Sequence, residues 1–204
     1  MALFRLAKST LSVPSVFGFF QSVVGAPACH RRFLDHFAQP QPGDRLLDLG
    51  CGTGATLEHL PATVSYVGVD ISQDYIDAAR ARFQNRGTFL CSDVASVDLA
   101  RFAPFDLAIS FGVLHHLDEP SARAMVALAQ RMLRPGGHLV TIDPCRLPSQ
   151  PWTARFLIEH DRGRHVRNIE QYRRLFASCA SVDTDVLSDM LRIPSSMIVA
   201  RAWV

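Results

Sequence analysis

The chain has 204 residues, enough for one well-packed domain and too few for two. Its 48% hydrophobic and 20% charged residues exclude a disordered chain, a collagen-like repeat and a coiled coil. A net charge of +2 lacks the footprint of a general nucleic-acid binder, and a single lysine (Lys8) leaves none in the body of the chain to act as a nucleophile.

The first 34 residues contain no acid and run from Arg5 and Lys8 into an apolar stretch. Ser12, Pro14, Ser15, Gln21 and Ser22 interrupt that stretch, which is too short and too polar to span a bilayer. Val16, Phe17, Phe20, Val23 and Val24 fall on one helical face, and Phe33, Leu34 and Phe37 continue a stripe that stops at Pro40 and Pro42. Residues 1–42 are therefore expected to form a helical lid, with 15–38 its mobile part; a processed leader is the alternative reading. Cys29, Cys51, Cys91, Cys145 and Cys179 are odd in number and widely spaced, which argues against a disulfide framework and a zinc site and fits a reducing cytoplasm.

From Arg45 the pattern becomes strand, turn, helix, repeated. Strands are predicted at 45–49, 64–70, 88–91, 105–111 and 138–142. One helical stripe comprises Tyr75, Ile76, Ala79 and Phe83; another comprises Met125, Leu128, Ala129 and Met132 and ends at Pro135-Gly136-Gly137. Such alternation implies an α/β fold with a parallel sheet and helices on both faces. Residues 146–167 form an arginine-rich insertion, Asn168 and Gln171 open a capped helix, and strand-like runs near 182–187 and 196–203 follow.

Asp48-Leu49-Gly50-Cys51-Gly52-Thr53-Gly54 stands where the first strand should meet its helix. Glycines there let the chain turn sharply and let a ligand lie against bare backbone at a helix N-terminus. The Gly-x-Gly-x-Gly spacing differs from the dinucleotide fingerprint Gly-x-Gly-x-x-Gly, which counts against a nicotinamide enzyme. Asp70 ends the second strand and can accept both hydroxyls of a ribose; Asp93 follows the third, within reach of an adenine amino group. Ligands of open parallel sheets bind at the carboxyl ends of the strands, where these acids would converge.

These pieces, in order, resemble the class I S-adenosylmethionine-dependent methyltransferases of the small-molecule type. The resemblance rests on the Asp48–Gly54 loop, Asp70, Ser92-Asp93, Phe105-Asp106-Leu107, Val113-Leu114-His115-His116-Leu117 and Leu133-Arg134-Pro135-Gly136-Gly137, over residues 46–143. It implies a Rossmann-like, seven-stranded, mostly parallel sheet whose last strand is antiparallel. It also implies S-adenosylmethionine as cofactor. Asp70 would hold the ribose, Asp93 the adenine and the 50–54 backbone the methionine moiety. The expected cofactor-binding set is Asp48, Gly50, Cys51, Gly52, Gly54, Asp70, Ile71, Asp93, Val94 and Phe111.

His115 and His116 follow the fourth strand, where the transferred methyl group would lie. A base is needed only if the acceptor arrives protonated, so His115 is the candidate catalytic residue, with packing beside the cofactor as the alternative role. His116, Arg162, His165 and Arg167 are candidates for the substrate side, because forked guanidinium donors suit carboxylates and phosphates. Asp161 could equally lock Arg162, and ion pairing accounts for several of the seven arginines between residues 146 and 174. The 110–113 segment lacks the Pro-Cys motif of RNA cytosine-C5 methyltransferases and the Asn/Asp-Pro-Pro-aromatic signature of enzymes acting on flipped bases. Nucleic acid is thus disfavoured as substrate, and no metal is expected. The expected activity is methyl transfer to oxygen, nitrogen or carbon of a small metabolite, anionic or polar, by a monomer or homodimer. The rival is cofactor binding without transfer, or another sulfonium-assisted reaction such as a pericyclic step.

Overall fold

The structure, a computed structural model, describes residues 26–94, 96–150, 152, 154, 155, 158, 163–191 and 195–204. The helical face from Val16 to Val24, and Arg162, lie outside the described residues. The described residues form eight strands: β1 (Arg45–Leu49), β2 (Ser65–Asp70), β3 (Thr88–Cys91), β4 (Phe105–Phe111), β5 (Leu133–Arg146), β6 (Arg167–Asn168), β7 (Ser181–Leu187) and β8 (Met197–Trp203). The helices are α1 (Ala26–Phe33), α2 (Gln73–Phe83), α3 (Glu119–Met132) and α4 (Ile169–Leu175). The strands are ordered β3-β2-β1-β4-β5-β8-β7, with β6 pairing β5 off this path. β1 to β5 are mutually parallel where they pair, and β8 runs antiparallel to β5 and β7. The expected seven-stranded path with its antiparallel last strand is therefore present. The extra strand, β6, is a two-residue pairing of Cys145 and Arg146 with Arg167 and Asn168.

Strand periodicity decides what each face buries. Leu47 and Leu49 of β1 and Val67 and Val69 of β2 pack with Met125, Val126 and Ala129 of α3 and with Tyr172 and Leu175 of α4. The opposite parity, Leu46 of β1 and Tyr66 of β2, packs with Phe33 of α1 and with Ile76 and Ala79 of α2. Caps start the helices: Ser72 accepts from the Tyr75 amide, Asp118 from the Ser121 amide, and Asn168 with Gln171 forms the expected capping box.

Two local expectations are corrected. The glycine loop opens not into an α-helix but into a five-residue 3₁₀ turn, Ala55–His59, so the loop's own geometry, not a long helix dipole, shapes the site. Pro135-Gly136-Gly137 does not terminate a helix directly: α3 ends at Met132, and the triplet lies inside β5. There β5 shifts register against β4, pairing Phe105 with Leu133 and Leu107 with His138. Proline lacks the ladder N–H, and Gly136 takes φ +80°, so this segment bulges while the strand runs on to Arg146.

Candidate active site

A cavity of about 560 Å³ opens at the carboxyl ends of β1, β2 and β4. The loop after β1 forms one end. The amides of Gly50 and Cys51 both donate to the Val69 carbonyl, at 2.7 and 2.9 Å, which folds the loop back over β2. Gly50 has φ +81°, and a Cβ there would stand 2.2 Å from Val113 Cγ2, so only glycine lets the two loops touch. Asp70 closes this end: its Oδ2 accepts from the Gly52 amide at 2.8 Å and its Oδ1 from the Ser72 amide at 2.9 Å. Each oxygen keeps a second lone pair for a ligand. Ile71 beside it lies 73% exposed, and Asp93 and Val94 complete this wall.

Asp48 lies beneath the loop, off the cavity wall, on the same strand face as Tyr66. The Tyr66 hydroxyl donates to Asp48 Oδ2 at 2.8 Å, while the buried Oδ1 meets no hydrogen-bond partner among the described residues. Burial pushes this carboxyl up to about 7, against the opposing pull of hydrogen bonds, Tyr66's first. Gly54 is also off the wall, packed against Phe83 and Phe89.

The other end is made by Phe111, His115 and His116 together with Cys29 and His30 of α1. His30 stacks on Phe111 with ring centroids 3.8 Å apart and planes at 10°. Burial pushes the Cys29 thiol up to about 12, which keeps it neutral. His115 is held from three directions. Its ring Nδ1 lies 2.8 Å from Asp143 Oδ1, its own amide donates to the same oxygen at 3.1 Å, and its carbonyl accepts from the His165 amide at 2.9 Å. A Cβ on Gly163 would fall 2.0 Å from the His115 ring, so the insertion's backbone presses directly on the imidazole.

Of the three described residues expected on the substrate side, His116 alone lines the cavity, its ring centroid 4.0 Å from that of His115. His165 is exposed and does not line it. Arg167 is taken out of the pocket altogether. It is 5% exposed, with Nη1 donating to Leu114 O at 2.7 Å and to His165 O at 3.2 Å, and Nη2 to Leu117 O at 2.8 Å. Leu114 and Leu117 belong to the histidine loop and His165 to the insertion, so the guanidinium ties these two segments together instead of holding an anion. Cys145 is buried, its thiol pushed up to about 11 by burial, and it stands off the cavity.

Sequence reasoning missed Cys29 and His30, and it grouped Asp143 with His115 and His116 only as a conceivable metal site, set aside because no ligand spacing repeats there. The signal for Asp143 was present: it closes the apolar run of β5 as Asp70 closes β2. Among the described residues, no three His, Cys, Asp or Glu side chains group so as to hold a metal ion, and no helix is long and apolar enough to cross a membrane. All five cysteines are free.

Residues 46–137 match the family described as methyltransferase domain. Over that stretch the chain is similar to an S-adenosylmethionine-dependent methyltransferase domain. The cofactor of such a domain is S-adenosylmethionine. An O-methyltransferase of Pyrenophora dematioidea is 29% identical over 160 residues, covering 75% of this chain and 54% of that protein. The 27-O-demethylrifamycin SV methyltransferase of Amycolatopsis mediterranei is 32% identical over 128 residues, covering 58% and 46%. The solved N-methyltransferase NodS of Bradyrhizobium japonicum WM9, in complex with S-adenosyl-L-homocysteine, shares this chain's fold with a TM-score of 0.65. It is 22% identical, over 85% of this chain and 84% of that one. The chain spans between a quarter and just over half the length of the curated relatives it matches first.

Proposed function

We propose that the protein transfers a methyl group from S-adenosylmethionine to a small organic molecule, bound between the glycine loop and the histidine loop. One observation carries this reading: a single cavity joins the Gly50–Gly52 backbone, Asp70 and Asp93 at one end to His30, His115 and His116 at the other. The first end fits the cofactor. Asp70 has a lone pair to spare on each oxygen for two ribose hydroxyls, and Ile71 offers an exposed apolar face for the adenine beside Asp93 and Val94. The positive φ of Gly50 and Gly52 turns bare backbone toward the methionine moiety. When bound, the cofactor supplies an electrophilic methyl group on a sulfonium.

The chain's own part is then approach geometry and exclusion of water. Phe111, stacked by His30 and met edge-on by Phe33, walls the space between the two ends. We assign residues 26–38 to a lid on this ground, since Cys29 and His30 form part of the cavity's lining. The rifamycin acceptor of the Amycolatopsis relative supports a small molecule over a macromolecule, and among the described residues no arginine lines the cavity beside His116.

Titration calorimetry with S-adenosylhomocysteine, run beside transfer of label from methyl-labelled cofactor into an extract's small molecules, tests this. Binding together with a labelled small product is the expected result. Binding without any labelled product would refute transfer, leaving a cofactor-binding protein or another sulfonium chemistry.

A further inference from the structure

We infer that the methyl acceptor is an uncharged molecule carrying an apolar ring or chain, and that Leu191 and Met197 set that preference. The inference rests on the methyl-transfer reading above and adds to it the chemical class of the acceptor.

The topology brings these two residues to the cavity. β8 runs antiparallel to β5, so its first residue, Met197, pairs with Pro144 near the carboxyl end of β5. The connection from β7 therefore arrives on the side where the parallel strands end, and Leu191 within it lines the cavity together with Met197. Both belong to one apolar cluster with Cys29 of α1 and Phe111 of β4, which line the same cavity, and with Phe33. Val113 and Leu117 of the histidine loop add further apolar lining.

This wall is fixed in shape. His30 and Phe33 hold the Phe111 ring from its face and from its edge. Arg32 of α1 reaches across to the β7–β8 connection, where its Nη1 donates to Asp189 O at 3.2 Å and pairs with Asp189 Oδ2 at 2.9 Å. Arg32 follows Cys29 by three positions and Asp189 precedes Leu191 by two, so this clamp joins the two segments that carry the wall. It also takes a cation out of play. Arg32 with Asp189, and Arg201 of β8 with Asp185 of β7 at 3.2 Å, are paired off the cavity lining.

An ionised carboxylate or phosphate set against Cys29, Phe111, Leu191 and Met197 gives up its water and gains no matching donor from them, which disfavours the anion. An uncharged ring or chain is favoured on leaving water there, and it meets an aromatic face and a polarizable thioether.

The test uses protein saturated with S-adenosylhomocysteine and the uncharged dye phenyl-naphthylamine, whose fluorescence rises in apolar surroundings. Displacement by naphthyl methyl ketone and by naphthoate compares a neutral molecule with an anion of nearly the same size. The expected result is dye binding to the wild type, and displacement by the ketone at a concentration at least about tenfold below that of the carboxylate. Leu191 is half-buried, so Leu191→Arg should keep the fold and the affinity for S-adenosylhomocysteine while it shrinks the preference for the ketone by about tenfold. Met197→Gln, a change of similar volume, should weaken the dye in the same way. Absence of dye binding to the wild type, a carboxylate that displaces the dye as well as the ketone does, or an unchanged preference in both variants would overturn the inference. A labelled product from an extract, identified by mass as derived from a carboxylate- or phosphate-bearing acceptor, would overturn it and leave methyl transfer standing. The expected dye selectivity with no labelled product from any extract would overturn methyl transfer while supporting an uncharged ligand.

Discussion

Replacing Arg167 by lysine probes a buried guanidinium whose geometry a lysine cannot copy. Nη1 and Nη2 reach carbonyls on either side of the histidine loop, Leu114 O at 2.7 Å and Leu117 O at 2.8 Å. A lysine ammonium is a single point on a flexible stem and cannot hold both at once. At least one charge-assisted hydrogen bond is lost, worth about 1.5–3 kcal/mol. For a chain of this size that is about 3–12 °C in melting temperature. Were Arg167 an exposed ion-pairing residue, the loss would stay below about 1 kcal/mol. Because Arg167 lies off the cavity wall, affinity for S-adenosylhomocysteine should stay within about twofold of wild type, since about 0.4 kcal/mol separates twofold. Urea unfolding and calorimetric titration of the same preparation measure both quantities. A lysine variant of wild-type stability, or one that loses cofactor affinity at full stability, would refute this account of the arginine.

Three further outcomes are expected. Asp70→Ala removes the acceptor of the Gly52 and Ser72 amides along with the ribose contact, and should weaken S-adenosylhomocysteine binding by about 1.5–3 kcal/mol in a calorimetric titration. Gly52→Val places a β-branched residue at φ +53° with its side chain in the open space above the loop; it should abolish measurable cofactor binding while the sheet's circular dichroism persists. Asp48 binds its proton more tightly folded (about 7) than unfolded (3.8), so the native state holds more protons between those values and stability falls as pH rises through the window. Asp48→Asn should flatten the stability profile there, as read from urea midpoints at a series of pH values.

The sheet was legible because its strands announce themselves twice, by apolar runs and by the turn residues bounding them. The runs predicted at 45–49, 88–91 and 105–111 coincide with β1, β3 and β4. The convergence of Asp70 and Asp93 on the glycine loop followed from where parallel strands end. What failed was long-range. Arg167 looked like a ligand-binding residue because sequence shows a charge and not the three carbonyls, from residues 2 to 53 positions away, that absorb it. The hydrogen bond between His115 and Asp143 is likewise long-range: the two are 28 positions apart and meet because β4 and β5 are neighbours. His30 reaches the cavity through its stack on Phe111, 81 positions on, and no local pattern encodes that pairing.

The strand order has a consequence for how the molecule is made. β7 is synthesised before β8 but has no neighbour in the sheet except β8, which lies between it and β5. During vectorial synthesis β7 must therefore wait, its ladder groups satisfied by water, until Met197–Trp203 emerges and zips against β5 from His138 to Pro144. Insertion of that one segment seats two strands at once, and a chain arrested before it would carry β5 as a long apolar edge open to pairing with other chains.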